Sequence, residues 1–79
     1  MHKDEIQGLL ERFGYSVSLN KKIGETSRTH MMHVGSMLDR LVDYIIDEVE
    51  NTTETIWAYT MEGLKCIETV HELENWLSE

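Results

Sequence analysis

Four glycines divide the chain into short segments, and this punctuation limits the length of every helix or strand that it can form. Gly14, Gly24, Gly35 and Gly63 stand between stretches of periodic apolar residues, and the chain contains no proline. Glycine is typical of helix ends and tight turns, because it adopts positive φ angles without a steric penalty. The sequence therefore predicts several short elements.

These short elements share one small core. The chain has 79 residues, enough for a single domain. A domain of this size buries about 60–65% of the surface of its unfolded chain, so its stability is marginal. Cys66 is the only cysteine, which excludes a disulfide within the chain and favours a reducing, cytoplasmic setting. The polar start of the chain and its short apolar runs predict neither a signal peptide nor a membrane span.

The first third of the chain predicts a helix followed by a strand. Residues 4–14 carry apolar side chains at the three- and four-residue spacing of a helix, with Gly14 as the C-terminal cap. Residues 15–20 alternate between apolar and polar side chains, which predicts a half-buried strand. The apolar side of this strand is predicted to contain Tyr15, Val17 and Leu19.

The middle of the chain predicts the strongest helix. Residues 27–34 fit either a second strand or the first turns of that helix; we favour the strand, with Ser36 as the N-cap of a helix over 37–51. On a helical wheel its apolar side chains fall within about 60° of Leu38 and its carboxylates fall on the other side. This acidic arc consists of Asp39, Asp43, Asp47 and Glu50, and Glu54 continues it if the helix extends that far.

The last third predicts a hairpin and a helix. Residues 54–69 are rich in β-branched and aromatic side chains, and Glu62 with Gly63 supplies a two-residue turn. A helix through the same residues is the alternative, and Gly63 counts against it. Thr69 and Glu72 form a capping box, which starts the last helix after Thr69.

The predicted order is α-β-β-α-β-β-α. It indicates an α+β fold in which a small, mostly antiparallel sheet carries its helices on one face. Residues 1–79 form one domain, but its charge is uneven. Residues 1–35 carry five bases and four acids, a net charge of +1, whereas residues 36–79 carry two bases and eleven acids, a net charge of −9.

The acidic half limits the partners of the protein. It disfavours direct binding to nucleic acid or to an anionic membrane, because contact with each phosphate needs a cation on the protein. It favours basic proteins and raises the rate at which they meet the chain.

Catalytic and metal-binding patterns are weak. His30, His33, Cys66 and His71 are zinc-ligand residue types, but their spacing matches no common zinc motif. In a strand, His30 and His33 point to opposite faces. The sequence contains no Gly-x-Ser-x-Gly elbow and no phosphate-binding loop. We therefore predict a protein without catalytic residues, metal or cofactor.

Two apolar groups are candidates for an interface. Trp57, Tyr59 and Met61 share one side of the predicted hairpin, with Ile56 and Ala58 on the other. If Ile56 and Ala58 face inward, the Trp57 side is open and suited to binding; the alternative is that the aromatic side chains form the core. A second set, Met31, Met32 and Met37 with Val34, fits either core or dimer packing or an adaptable binding patch.

The acidic arc has a functional and a structural interpretation. Charged residues commonly lie opposite an apolar seam. Like charges four residues apart, however, destabilise a helix by about 0.2–0.5 kcal/mol per pair, and acids near its C-terminus oppose its dipole. These penalties favour selection for partner binding. The candidate partner-binding residues are Asp39, Asp43, Asp47, Glu48, Glu50, Glu54, Glu62, Glu68 and Glu72.

The acidic stretch "DRLVDYIIDEVENTTE", together with the small size of the chain, resembles a class of phage-encoded proteins. These short acidic proteins occupy the DNA-binding surfaces of host proteins such as histone-like HU proteins, RNA polymerase, restriction enzymes and uracil-DNA glycosylase, and they are often dimeric. The resemblance implies a DNA mimic that inhibits a basic DNA-binding protein, as a monomer or a homodimer. The alternative is an adaptor or inhibitor that binds a host division, proteolysis or transcription protein through the Trp57, Tyr59 and Met61 patch.

Overall fold

Two helices enclose five consecutive strands in the chain order. The computed structural model describes residues 1–36 and 39–79. The helices are α1 (Lys3–Arg12) and α2 (Val70–Leu77). The strands are β1 (Ser16–Lys22), β2 (Arg28–Val34), β3 (Leu41–Asp47), β4 (Ile56–Thr60) and β5 (Gly63–Ile67). Each strand pairs antiparallel with the next, so the spatial order of the sheet is β1-β2-β3-β4-β5.

The core lies between both helices and one face of this sheet. Alternate residues of each central strand are buried, as expected for a sheet that is covered on one side. The sheet contributes Met31, Val42, Tyr44, Ile46, Ile56, Ala58 and Ile67 to the core. The helices contribute Ile6, Leu9, Leu10, Leu73, Trp76 and Leu77. The α+β class and the placement of the helices on one face are therefore confirmed.

The predicted helix ends are also confirmed. Gly14 follows the last residues of α1 with a φ angle of 82°, a left-handed conformation that favours glycine. Thr69 is the N-cap of α2, where its hydroxyl accepts a hydrogen bond of 3.1 Å from the backbone N–H of Glu72. Both caps depend only on residues that are close in the sequence, so they can be predicted from the sequence alone.

The predicted helix over residues 37–51 is wrong. Leu41–Asp47 form β3, the central strand, and its registers with β2 and β4 run without interruption. Met37 and Leu38, the first residues of the predicted helix, lie outside the described part of the chain. Over the described residues the order is therefore α-β-β-β-β-β-α, and the helix start predicted after Ser36 falls on Met37, outside those residues.

The periodicity of this segment was ambiguous. Its apolar side chains fit a helical wheel. In the structure, however, every second residue from Val42 to Ile46 is buried, and the residues that alternate with them are not, which is the pattern of a strand. The segment also contains many β-branched residues. The destabilising effect that acids would have in a helix therefore does not arise, and it is no longer an argument for function.

Two smaller predictions also need correction. The register of β1 shifts between Val17 and Leu19, so these residues lie on opposite faces of the sheet. The turn of the last hairpin is formed by Met61 and Glu62, one residue earlier than predicted, because Thr60 pairs with Gly63. Residues 27–34, for which two structures were open, contain strand β2.

Arg40 joins the connection between β2 and β3 to the end of α2. Its Nη2 donates a hydrogen bond of 2.7 Å to the carbonyl oxygen of Trp76. Its guanidinium carbon lies 3.9 Å from the centroid of the Trp76 ring, which places the cation over the aromatic face. Arg40 is one of the two bases in residues 36–79. Its two contacts with Trp76 therefore stabilise the fold.

We expect Arg40→Ala to lower the free energy of unfolding by about 1–3 kcal/mol, because it removes a cation–π contact and a charged hydrogen bond. Urea denaturation measures this change. Lys65→Ala is the matched control, because it removes the other base of the acidic half from an exposed position on β5; its expected effect is within about 0.5 kcal/mol. Equal effects of the two variants would contradict the structural role of Arg40.

Candidate functional site

The second face of the sheet carries no helix. We call it the open face. In register across β1 to β5, one row of side chains on this face is Leu19, Met32, Asp43, Trp57 and Cys66. The next row is Ser16, Val34, Leu41, Tyr59 and Leu64. Most of these side chains are apolar, which is unusual for a sheet face that meets solvent.

The hairpin of β4 and β5 places its aromatic residues on this face. Ile56 and Ala58 are buried against the helices, whereas the Trp57 side chain is 41% exposed. Of the two arrangements that the sequence leaves open, the structure has the one in which Ile56 and Ala58 face inward, and Tyr59 lies beside Trp57 on the open face. Met61 does not share that face, because it belongs to the turn, where it is 91% exposed.

The methionines are divided between the two faces. Met31 is buried in the core, and Met32 is half-buried on the open face. Val34 is also half-buried on the open face. Met37 lies outside the described residues. The open face is therefore a mixed aliphatic and aromatic surface rather than a methionine patch.

The centre of the open face contains one polar pair. The ring of His30 lies in hydrogen-bond contact with the Asp43 carboxylate, and both side chains are partly buried. Apolar neighbours surround this pair in the register of the sheet. Asp43 is therefore engaged within the fold and is not a free, solvated charge.

An ordered acidic loop borders the open face. We call residues 48–55 the acidic loop. The backbone N–H groups of Asp47 and Thr52 each donate a hydrogen bond to the carbonyl oxygen of the other residue, which closes the loop. Asn51, just before Thr52, has a φ of 58°. The backbone N–H of Lys3 donates a 2.7 Å hydrogen bond to the carbonyl oxygen of Asn51. The backbone of Thr53 likewise pairs with that of Met1.

These contacts fix the positions of the acidic side chains. Asp47, Glu48, Glu50 and Glu54 are exposed. The Asp47 carboxylate accepts a 2.9 Å hydrogen bond from the Val49 N–H. The Glu48 carboxylate accepts a hydrogen bond from the Thr29 hydroxyl. Met1 and Lys3, together with the ends of β2 and β3, therefore hold the acidic loop in one conformation.

A shallow groove forms where this loop meets the open face. We call it the acidic groove. Its apolar part consists of Trp57 and Ile45, and its carboxylates come from Asp47, Glu50 and Glu54. Arg28, which pairs with Asp47 across β2 and β3, also borders it. The groove thus combines an exposed indole ring with three carboxylates and one base.

The acidic residues predicted to form one arc are separated in space. Because β3 is a strand, Asp39 lies beyond the end of the sheet that is opposite the acidic loop. Glu62 lies at that same far end, in the turn between β4 and β5. Glu68 follows β5, and Glu72 lies in α2. The nine candidate carboxylates therefore do not form one surface, and only Asp47, Glu50 and Glu54 meet in the acidic groove.

The carboxylates lack basic partners within the chain. Across residues 1–36 and 39–79, the ion pairs within 4.0 Å are those of His2 with Asp4 and of His30 with Asp43, and no Lys or Arg is involved. The exposed carboxylates of the acidic loop are therefore free to meet cations from outside the chain.

The histidines and the cysteine lie in different environments. His33 is buried in the core and stacks on Tyr44, with ring centroids 5.6 Å apart, whereas His30 lies on the open face. Within the described residues, no three His, Cys, Asp or Glu side chains come together in a way that could hold a metal ion.

Cys66 is not activated as a nucleophile. It lies exposed on the open face, opposite Trp57 in the register of β4 and β5. Desolvation by its neighbours and the nearby carboxylates of Glu68 and Glu72 raise the pKa of the thiol. A raised pKa lowers the fraction of the reactive thiolate at neutral pH.

Comparisons with known proteins assign no class. No family model matches the sequence, no curated protein matches it, and no solved structure matches the fold. In the described part of the chain, neither helix has the length and apolar character needed to cross a membrane. Function is therefore inferred from the geometry of the open face and the acidic groove.

We expect the buried His33 to make folding sensitive to acid. Burial lowers the pKa of His33 below its usual value of 6.5. The unfolded chain therefore binds a proton that the folded chain excludes, and stability falls as the pH drops below about 6.5. The free energy of unfolding is therefore lower at pH 5 than at pH 8.

Urea denaturation at pH 8 and pH 5 measures this difference. His33→Phe should reduce it, whereas His71→Gln, at an exposed position on α2, should leave it unchanged. An NMR titration in which the His33 ring of the folded protein protonates at or above pH 6.5 would contradict the prediction.

Proposed function

We propose that the protein is a non-enzymatic binding protein that holds basic side chains of a partner protein in the acidic groove. The observation that carries this proposal is the position of the exposed Trp57 ring in the same groove as three carboxylates. An arginine or lysine side chain of a partner can bind here through two interactions, because its positive charge is attracted both to the aromatic face and to the carboxylates.

The order of the acidic loop supports the proposal. A loop that is already fixed by its backbone contacts with Lys3 and Asp47 loses little freedom when a partner binds. Over the described residues no Lys or Arg lies within 4.0 Å of these carboxylates, so a partner's cations replace no internal ion pair.

The affinity of one such contact is small. A cation–π contact contributes about 0.5–2 kcal/mol and an exposed ion pair up to about 1 kcal/mol. A useful affinity therefore requires several basic side chains together with an apolar surface that covers Tyr59 and Leu64. The partner is a protein with clustered Lys and Arg residues around an apolar patch.

The basic DNA-binding site of a protein, such as that of a histone-like HU protein, is a surface of this kind. We therefore retain inhibition of a DNA-binding protein as the proposed role, with a changed basis. The carboxylates lie at two ends of the sheet and do not form a row with the spacing of phosphates, so recognition depends on the groove and the apolar face together. The alternative, an adaptor on a division, proteolysis or transcription protein, is favoured by the exposure of Trp57 and Leu64.

An arginine-rich peptide tests the proposal by calorimetry at low salt and at 0.3 M salt. We expect Trp57→Ala to weaken binding by about fivefold to tenfold at both salt concentrations, because it removes the aromatic surface. The double variant Glu50→Gln and Glu54→Gln should weaken binding at low salt and have little further effect at high salt, where exposed charges are screened.

The matched control changes the same number of charges elsewhere. Glu5→Gln with Glu74→Gln removes two exposed carboxylates from the helices. If this control weakens binding as much as the groove variant, the peptide responds to net charge alone and the groove has no role. Binding that is insensitive to both Trp57→Ala and salt would also reject the proposal.

A further inference from the structure

We infer that a second copy of the chain covers the open face, with a two-fold axis that runs parallel to β3. This inference rests on the proposed function in one respect, because the acidic groove receives basic residues of the second copy. The chain itself supplies the required chemistry, since a basic corner lies on the same face as the groove.

The size of the open face supports such an interface. Five strands about 4.8 Å apart and about 20 Å long give a face of roughly 500 Å² in projection. Its side chains and the adjoining loops increase the accessible surface toward the roughly 800 Å² that each partner contributes to a stable complex. Leu64 and Ile45 are 55% and 47% exposed on this face, so an apolar area of this extent lacks a cover.

The charge layout selects a second copy. Lys21 and Arg28 lie on either side of the turn between β1 and β2, and we call them the basic corner. Lys21 pairs with His30 and Arg28 pairs with Asp47, so both belong to the open face. This turn and the acidic loop lie at the same end of the sheet, on opposite sides of β3. A face with a basic side and an acidic side complements itself when one copy is rotated by half a turn.

The direction of the axis follows from this layout. Rotation about an axis parallel to β3 places β1 over β5 and β2 over β4, while each end of the sheet keeps its position. The basic corner of one copy then lies over Glu54 and Glu68 of the other. Rotation about an axis in the plane of the face and perpendicular to the strands would instead place β1 over β1 and exchange the two ends of the sheet. The basic corner would then lie over Ser16 and Val34 and not over Glu54 and Glu68.

The apolar rows match in the same arrangement. Met32 of one copy lies over Trp57 of the other, which is a favourable contact between sulfur and an aromatic ring. Val34 lies over Tyr59, and Leu19 lies over Cys66. Two sheets that pack face to face keep their strands within about 30° of each other, so these contacts are best satisfied near the axis.

Asp43 is the charged side chain nearest the axis among the described residues of the open face. The two Asp43 carboxylates approach each other there, each in contact with His30 of its own copy. Like charges across an interface weaken it, so this pair limits the strength of the dimer. Because the second copy covers Trp57, dimerisation and partner binding exclude each other, and the dimer is the resting form of the protein.

A charge exchange between the two sides of the face tests this arrangement. One variant carries Lys21→Glu with Arg28→Glu, and the other carries Glu54→Lys with Glu68→Lys. Sedimentation equilibrium should give the native chain as a dimer at about 0.1 mM, and each variant alone should dissociate at least about tenfold more readily. An equal mixture of the two variants should restore the dimer, because every opposed pair then has opposite charges.

The controls separate failure of the dimer from failure of the groove. Arg12→Glu with Glu74→Lys exchanges charges on the helices and should leave the dimer unchanged. Circular dichroism verifies that each variant is folded. A native chain that stays monomeric, or a mixture that fails to form the mixed dimer, overturns the inference. Binding of the arginine-rich peptide by Trp57 is measured separately, and it survives in the single variant Lys21→Glu, which lies outside the groove.

Discussion

The register of β3 with both of its neighbours is the constraint on which the rest of the structure depends. This strand presents Val42, Tyr44 and Ile46 to the helices, and the residues between them to the open face. A shift of one residue would exchange the two sets and bury Asp43 under the helices. Because β3 pairs with β2 and with β4, it also joins the near-neutral hairpin to the acidic part of the chain.

Local signals in the sequence predict the elements that depend on neighbouring residues. The Gly14 cap and the Thr69 cap each involve a few consecutive residues, and both were correctly interpreted. The segment over 41–47 was misassigned because its apolar residues satisfy a helical and an extended pattern equally well. The choice between them is made by pairing with β2 and β4, which single-segment periodicity does not include.

The candidate site was predicted in part for the same reason. Strand alternation places Trp57 and Ile56 on opposite faces, but it does not select the face that the helices cover. The acidic groove likewise depends on contacts that are remote in sequence. The backbone of Thr53 is paired with that of Met1, and Asp47 is brought beside Arg28 by the sheet. No pattern within residues 48–55 contains this information, so the sequence identified the carboxylates without their arrangement.

The register shift in β1 has a consequence for how the protein can associate. An open sheet has two edges whose unpaired backbone groups attract further strands, and such additions lead to fibres. At one edge, the irregularity between Val17 and Leu19 interrupts the regular ladder, and Lys21 and Lys22 follow it on the same strand. A charged and interrupted edge is a poor template for another strand. The chain can therefore leave an apolar sheet face uncovered while its β1 edge resists growth by strand addition.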